Sequence, residues 1–182
     1  IPLRLVGSEM CIRDSIILRR LCHQLIERHL DFSNVVLVGL QPRGTNLLKQ
    51  LLILLKKEGL NSIKFGKLDT TFFRDDFRRN HQPLNARTTE MNETVEGKNV
   101  VLIDDVLFTG RSIRAALTAI DTYGRPKSIE LLVLVDRRFS RHLPIQPDYL
   151  GAQIDALQGD KVKVVWSKSP QKSIVYLEKN NE

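Results

Sequence analysis

Four apolar residues, Val100-Val101-Leu102-Ile103, run without a polar break and end in the acidic pair Asp104-Asp105. An unbroken apolar run that stops at charge reads as a strand covered on both faces, with the two carboxylates delivered at its C-terminal end. Thr109-Gly110-Arg111-Ser112 follows, small residues that turn the chain tightly, and Ile113, Ala116, Leu117 and Ile120 then recur at helical spacing. Such a turn points backbone N–H groups and the positive end of a helix dipole at one spot, where a phosphate can sit beside the hydroxyls of Thr109 and Ser112. Carboxylates at the mouth of an anion site repel the ligand unless something between them calls for negative charge, such as sugar hydroxyls, a metal ion or a transient cation. A phosphorylated sugar meets that requirement. An ordinary turn with solvated aspartates accounts for the acidic pair alone, but not for the whole string.

The same pattern of strand, turn and helix occurs earlier. Val35–Leu40 reads as a buried strand, Gln41-Pro42-Arg43-Gly44 as a turn, and residues 45–57 as a helix. Glycine after arginine at a strand end lets backbone approach an anion closely. Two phosphate loops suit a substrate with phosphates at both ends. A first helix is expected from a cap at Asp14 or Ser15 to about His29, with Ile17, Leu18, Leu21, Leu25 and Ile26 as its apolar stripe. Residues 63–68 read as a strand, and residues 80–96 as a long polar excursion of the kind that is usually functional or disordered. Residues 129–135 are apolar except for Glu130 and lead into Asp136-Arg137. Residues 162–166 and 174–177 are expected to finish the sheet at an edge. Buried strands that alternate with helices predict an α/β fold, a mostly parallel sheet with helices on both faces. Ligands of such folds bind beyond the carboxyl ends of the strands, where Arg43, Asp104 and Asp136 are expected to emerge into one crevice.

Composition narrows the function without choosing it. With 182 residues, 42% hydrophobic and 27% charged, the chain suits one globular domain. Residues 1–15 carry no periodicity that joins them to the rest and are read as a non-native or disordered leader, leaving residues 16–182 as the single domain. No apolar run reaches the length of about 20 residues that a membrane helix needs. Two cysteines, Cys11 and Cys22, are too few for a disulfide framework and lack metal-ligand spacing, which fits a reducing, cytoplasmic setting. The net charge of +7 admits a polyanionic partner and equally suits an enzyme that handles phosphates.

Residues 101–112, Val-Leu-Ile-Asp-Asp-Val-Leu-Phe-Thr-Gly-Arg-Ser, resemble the phosphoribosyl-pyrophosphate motif of type I phosphoribosyltransferases. Within these the chain is most similar to the PyrR family, bifunctional pyrimidine-operon regulators and uracil phosphoribosyltransferases. Several relatives place an acid after the Thr-Gly; Arg111 at that position fits the pyrimidine regulators and argues against hypoxanthine-guanine enzymes. The resemblance implies transfer of phosphoribose to uracil, giving UMP and pyrophosphate in pyrimidine salvage, with Mg²⁺ carried by phosphoribosyl pyrophosphate and no metal ligand from the protein. It implies catalytic roles for Asp104, Asp105 and Arg74, and a grip on the 5′-phosphate by Thr109, Gly110, Arg111 and Ser112. It further places Arg43 and Gly44 at the pyrophosphate, Asp136 and Arg137 at the base, and a flexible hood, beginning Thr71-Phe72-Phe73-Arg74-Asp75-Asp76, over the bound substrate. Some members have a glycine and one residue fewer where this chain has Arg138-Phe139-Ser140. The family also implies a homo-oligomer, dimer or tetramer, and binding of pyrimidine-operon leader RNA, for which Arg20 and His23 on the first helix are the candidate contacts. The rival reading is an RNA-binding transcription attenuator in which catalysis is vestigial.

Overall fold

Alternating side chains of the central strands serve two separate cores, and this decides the architecture. In the computed structural model, which describes residues 9–10, 14–74, 87–156, 160–166 and 174–178, the elements run in order. They are β1 (Glu9–Met10), α1 (Asp14–His29), β2 (Val35–Leu40), α2 (Gly44–Lys57), β3 (Lys64–Leu68), β4 (Asn99–Leu107), α3 (Arg111–Ile120), β5 (Ser128–Arg138), β6 (Tyr149–Asp155), β7 (Lys161–Val165) and β8 (Ile174–Glu178). Five strands form one parallel sheet in the order β3-β2-β4-β5-β6. On one face Leu37, Val101, Ile103, Leu132 and Leu134 pack against Leu18, Leu21 and Leu25 of α1 and Leu47, Leu48, Leu51 and Leu55 of α2. On the other, Val36, Val38, Val100, Leu102, Leu131 and Val133 pack against Ile113, Ala116, Ala119 and Ile120 of α3. Helices therefore cover both faces, as the unbroken apolar strands predicted.

The order of strands reverses between β2 and β4. Chain leaving β2 moves outward to β3, whereas chain leaving β4 moves the other way to β5. A crevice opens outside the carboxyl ends of two such strands, because the following loops part there.

Three features depart from expectation. The central strand does not stop at Ile103; its ladder with β5 continues through Asp104 to Leu107, so the acidic pair lies within the strand. Residues 149–155 form β6, the edge of the parallel sheet, a strand that sequence reading did not place; Gly151 and Gln153 break the apolar run that would have announced it. Strands β7 and β8 do not extend the main sheet but pair antiparallel with one another, and β8 pairs with β1, in a separate three-stranded sheet. Exposed and buried positions alternate along Lys161-Val162-Lys163, the mark of a strand with one wet face, which the two-sided parallel sheet has little use for. The pairing of Glu9 and Met10 with β8 also gives the N-terminal stretch one described element, the remainder of residues 1–13 lying outside the described residues.

Glu130, the one polar break in β5, is buried and fully engaged. It takes an ion pair from Arg28 at 2.9 Å, lies 3.0 Å from His29 Nε2, and accepts the Tyr149 hydroxyl proton at 2.5 Å. A buried carboxylate is tolerated because hydrogen bonds and opposite charge replace its water. Cys22, whose thiol burial pushes up to about 11, is a small core residue of α1 and not a nucleophile. Among the described residues no helix is long and apolar enough to cross a membrane.

Candidate active site

A cavity of about 550 Å³ occupies the crevice beyond the ends of β2 and β4. Arg43, Arg74, Asp104, Asp105, Ser112 and Arg137 all line it, although they come from widely separated parts of the sequence. The turn Gln41–Gly44 forms its first wall. The Gln41–Pro42 peptide is cis, Thr45 donates its hydroxyl to Pro42 O at 2.9 Å, and Gln41 N donates to Leu68 O at 2.9 Å. Gly44 does not line the cavity; it lets α2 start directly against β4, since a Cβ there would lie 2.2 Å from Ile103 O. That contact sets the Arg43 loop beside the acidic pair.

Asp104 and Asp105 form the floor. Asp105 N–H donates to Asp104 Oδ1 at 2.9 Å, and Asp105 is 3% exposed, with Oδ2 buried and accepting no hydrogen bond from the described residues. Burial, and then the adjacent Asp105 charge, raise the Asp104 carboxyl well above the usual range. Burial also raises Asp105, against the opposing pull of the Arg43 guanidinium. The pair thus holds negative charge at a cost in the empty site, and it is best satisfied when hydroxyls or positive charge enter between it and the arginines.

The turn after β4 leads into α3. Gly110, at φ 91°, caps the helix in the left-handed conformation that a side chain rarely adopts, and Arg111 N–H reaches Thr109 Oγ1 at 3.4 Å. Ser112 faces the cavity, while Thr109, Gly110 and Arg111 shape the turn without lining the cavity wall.

The third wall is β5. Asp136 and Arg137 are neighbours on a strand and therefore point to opposite faces, so only Arg137 enters the crevice. Its guanidinium lies 4.0 Å from the centre of the Phe108 ring, with Nε buried and unpaired among the described residues, and burial lowers its pKa. Asp136 instead lines a neighbouring cavity of about 390 Å³ with Arg141 and Ile145, correcting the expectation that Asp136 itself emerges beside Arg43 and Asp104; the third motif enters the crevice through Arg137.

Sequence reasoning missed three contributors. Lys161 and Lys163 of β7 line the main cavity, carried there by the second sheet; their alternation with Val162 was the available signal, but nothing local says which face meets the crevice. Asp69, 8% exposed, ties both stems of the excursion: its Oδ1 accepts the Thr71 N–H at 3.0 Å and the Thr71 hydroxyl at 2.6 Å, and its Oδ2 accepts the Arg87 N–H at 2.5 Å. Thr71 and Arg74 line the cavity from the first stem; Asp75 and Asp76 lie outside the described residues. Arg20 and His23 are exposed on α1 and do not line this cavity, and Arg20 donates to the main-chain oxygen of Gly151.

Comparison with known proteins agrees with this geometry. Residues 13–169 match the family described as phosphoribosyl transferase domain. The chain is 43% identical over 145 residues to the bifunctional protein PyrR of Actinobacillus pleuropneumoniae serotype 5b, which covers 80% of this chain and 80% of that one. It is 38% identical over 162 residues to the bifunctional protein PyrR of Geobacter sulfurreducens, covering 89% of this chain and 91% of the relative. Against that of Bacillus velezensis the identity is 37% over 176 residues, covering 95% of each. Among solved structures, a hypoxanthine phosphoribosyltransferase from Staphylococcus aureus superposes with a TM-score of 0.61 at 18% identity, covering 79% of this chain and 74% of that one. A hypoxanthine phosphoribosyl transferase from Trypanosoma cruzi gives 0.66 at 17% identity, covering 96% and 94%. The structural likeness bears on the fold, and the sequence likeness reaches further: the chain has the type I phosphoribosyltransferase fold and belongs to the phosphoribosyltransferases, within them to the PyrR family.

Proposed function

We propose that this chain is a uracil phosphoribosyltransferase, joining uracil to phosphoribosyl pyrophosphate to give UMP and pyrophosphate. The observation that carries the reading is the floor of the crevice, where two carboxylates with raised pKa values face Arg43 and lie within one cavity with Arg74, Ser112 and Arg137. In the reaction the bond from the sugar C1′ to pyrophosphate breaks, the bond from C1′ to N1 of the base forms, and N1 gives up its proton. Positive charge builds on the ribose as pyrophosphate departs. Asp104 and Asp105 stabilise that charge more than they stabilise the neutral ground state, which is the condition for accelerating the step. Arg43 and Arg74 hold the leaving pyrophosphate, and the turn Thr109-Gly110-Arg111-Ser112 holds the 5′-phosphate with main-chain N–H groups and hydroxyls.

Mg²⁺ suits this site. The orphaned Oδ2 of Asp105 is a hard oxygen acceptor that an ion or its water would suit, and because Mg²⁺ gives up its water reluctantly the ion would be carried by pyrophosphate and ribose oxygens with its own water. When bound, it neutralises charge on the departing pyrophosphate. At the base, the stacked guanidinium of Arg137 offers only N–H donors, so it favours a base edge that presents carbonyl oxygens, as uracil does at O2 and O4, over the amino group of cytosine. Product formation from radiolabelled uracil, with cytosine, orotate, hypoxanthine and guanine as competitors, tests the assignment: uracil is converted and the others compete weakly. Preferred conversion of another base would overturn the choice of uracil.

A second role, nucleotide-dependent binding of pyrimidine-operon leader RNA, is favoured by the exposed Arg20 and His23 on α1 and by the net charge of +7. Basic residues supply salt-dependent phosphate attraction, and unstacked loop bases supply sequence choice. The reading in which RNA binding stands alone and catalysis is vestigial predicts no UMP formation in the same assay.

A further inference from the structure

The turn between β4 and α3 is held from outside by one segment of the loop after β5. Arg141 Nη1 donates to Phe108 O at 2.5 Å, and the His142 N–H donates to Thr109 O at 3.0 Å. The other arm of the same guanidinium, Nη2, pairs with Asp136 Oδ1. Asp136 is buried and stands beside Leu107 in the ladder between β5 and β4, so the anchor of the clamp is the sheet itself. Leu143 and Ile145 close over the turn as well: a Cβ on Gly110 would lie 3.2 Å from Ile145 and 3.4 Å from Leu143.

Peptide planarity gives this clamp a consequence. In a trans peptide the C=O and the following N–H point in opposite directions. Fixing the carbonyls of Phe108 and Thr109 toward Arg141 and His142 therefore aims the N–H groups of Thr109 and Gly110 the other way, alongside the positive end of the α3 dipole. Arg141 is poorly suited to bind a phosphate itself, because its charge is taken by Asp136. A guanidinium suits the bridging task because its donors form a rigid, planar fork that holds two acceptors at a fixed spacing, whereas an ammonium is a compact point charge on a flexible stem.

We infer that Arg141 is a positioning residue for the sugar phosphate: by bridging Asp136 and the Phe108 carbonyl it orients the main-chain N–H groups that receive the 5′-phosphate. The inference rests on the reading of this turn as the phosphate cradle. It also gives Asp136 a place in the site without direct contact with the base, since its carboxylate holds the arginine that holds the turn.

The test compares wild type, Arg141→Gln and Arg141→Lys in two measurements, steady-state transfer and calorimetric binding of ribose 5-phosphate, with thermal unfolding as the control for folding. Arg141→Gln is expected to raise KM for phosphoribosyl pyrophosphate and weaken ribose 5-phosphate roughly tenfold or more, while KM for uracil changes little. Arg141→Lys, which keeps the charge beside Asp136 but loses the fork, is expected to fold like wild type and to show several-fold weakening at the same substrate. Unchanged sugar-phosphate binding in Arg141→Lys and Arg141→Gln overturns the inference and leaves the functional reading standing, as does an equal loss for both substrates in step with lowered thermal stability. Should wild type itself bind neither phosphoribosyl pyrophosphate nor ribose 5-phosphate, the functional reading falls and this inference with it.

Discussion

Gly44 and Ile103 meet main chain to main chain: a Cβ on Gly44 would lie 2.2 Å from the Ile103 carbonyl oxygen and 3.0 Å from Asp104 Cα. The start of α2 and the middle of β4 are thereby locked at a separation that only glycine permits, and Arg43 is held beside the carboxylates as a result. Gly44→Ala must push helix from strand, and overpacking of this kind costs about 1–3 kcal/mol or more. Thermal unfolding is expected to fall by several degrees, at about 2–4 °C per kcal/mol for a domain of this size, with transfer activity lost at temperatures where the fold survives. Wild-type stability and rate in Gly44→Ala would contradict the contact.

Burial raises the carboxyls of Asp104 and Asp105 in the folded chain, and at Asp104 the neighbouring Asp105 charge raises it further. A carboxyl raised by folding holds its proton more tightly in the native state than in the unfolded one. Its contribution to stability is thus fully present below the unfolded pKa and is lost as pH rises through the folded one. Asp104→Asn removes that loss. The variant is expected to melt near wild type in acid and above it at neutral pH, where each unit of raised pKa corresponds to about 1.4 kcal/mol. A variant less stable than wild type at neutral pH would contradict the direction.

Arg74 is exposed on the stem of the excursion and contributes little to either core. Arg74→Ala is expected to lower turnover by roughly tenfold or more with thermal stability within a degree or two of wild type, because the side chain acts on the departing pyrophosphate and not on packing. Parallel losses in turnover and stability would make it a structural residue.

For RNA, the hydrogen bond from Arg20 to Gly151 O matters to the choice of variant. Arg20→Ala removes a tie between α1 and β6 as well as a surface charge, whereas His23→Ala changes the exposed face alone. Binding of a pyrimidine-operon leader in a filter assay is expected to survive physiological salt, to respond to UMP, and to weaken in both variants. Binding that vanishes at that salt, or is indifferent to UMP and RNA sequence, would leave only a basic surface.

Much of this architecture was legible because local pattern and burial coincide. Val35–Leu40 and Val100-Val101-Leu102-Ile103 are apolar throughout because both faces of their sheet are covered, whereas a strand with one wet face alternates apolar and polar residues. The extension of β4 through Asp104 and Asp105 was hidden because charge ordinarily ends a strand; here the cavity admits the two side chains while the strand runs on to Leu107. The separate sheet of β7 and β8 was hidden for a different reason: pairing of remote strands depends on which edge is free, which no window of sequence records. Asp69 and Arg141 likewise gain their importance from main-chain partners distant in sequence, Arg87 and Phe108, whose identity as residues carries no signal.

The central claim is that the acidic pair within β4 drives transfer of phosphoribose to uracil. Formation of radiolabelled UMP by wild type and by Asp104→Asn combined with Asp105→Asn measures it directly, because the double variant keeps the volume of the floor and removes its charge. The account predicts conversion by wild type and a rate lower by about a hundredfold or more in the double variant, on a fold that still melts cooperatively. A double variant within a few-fold of wild type would contradict it.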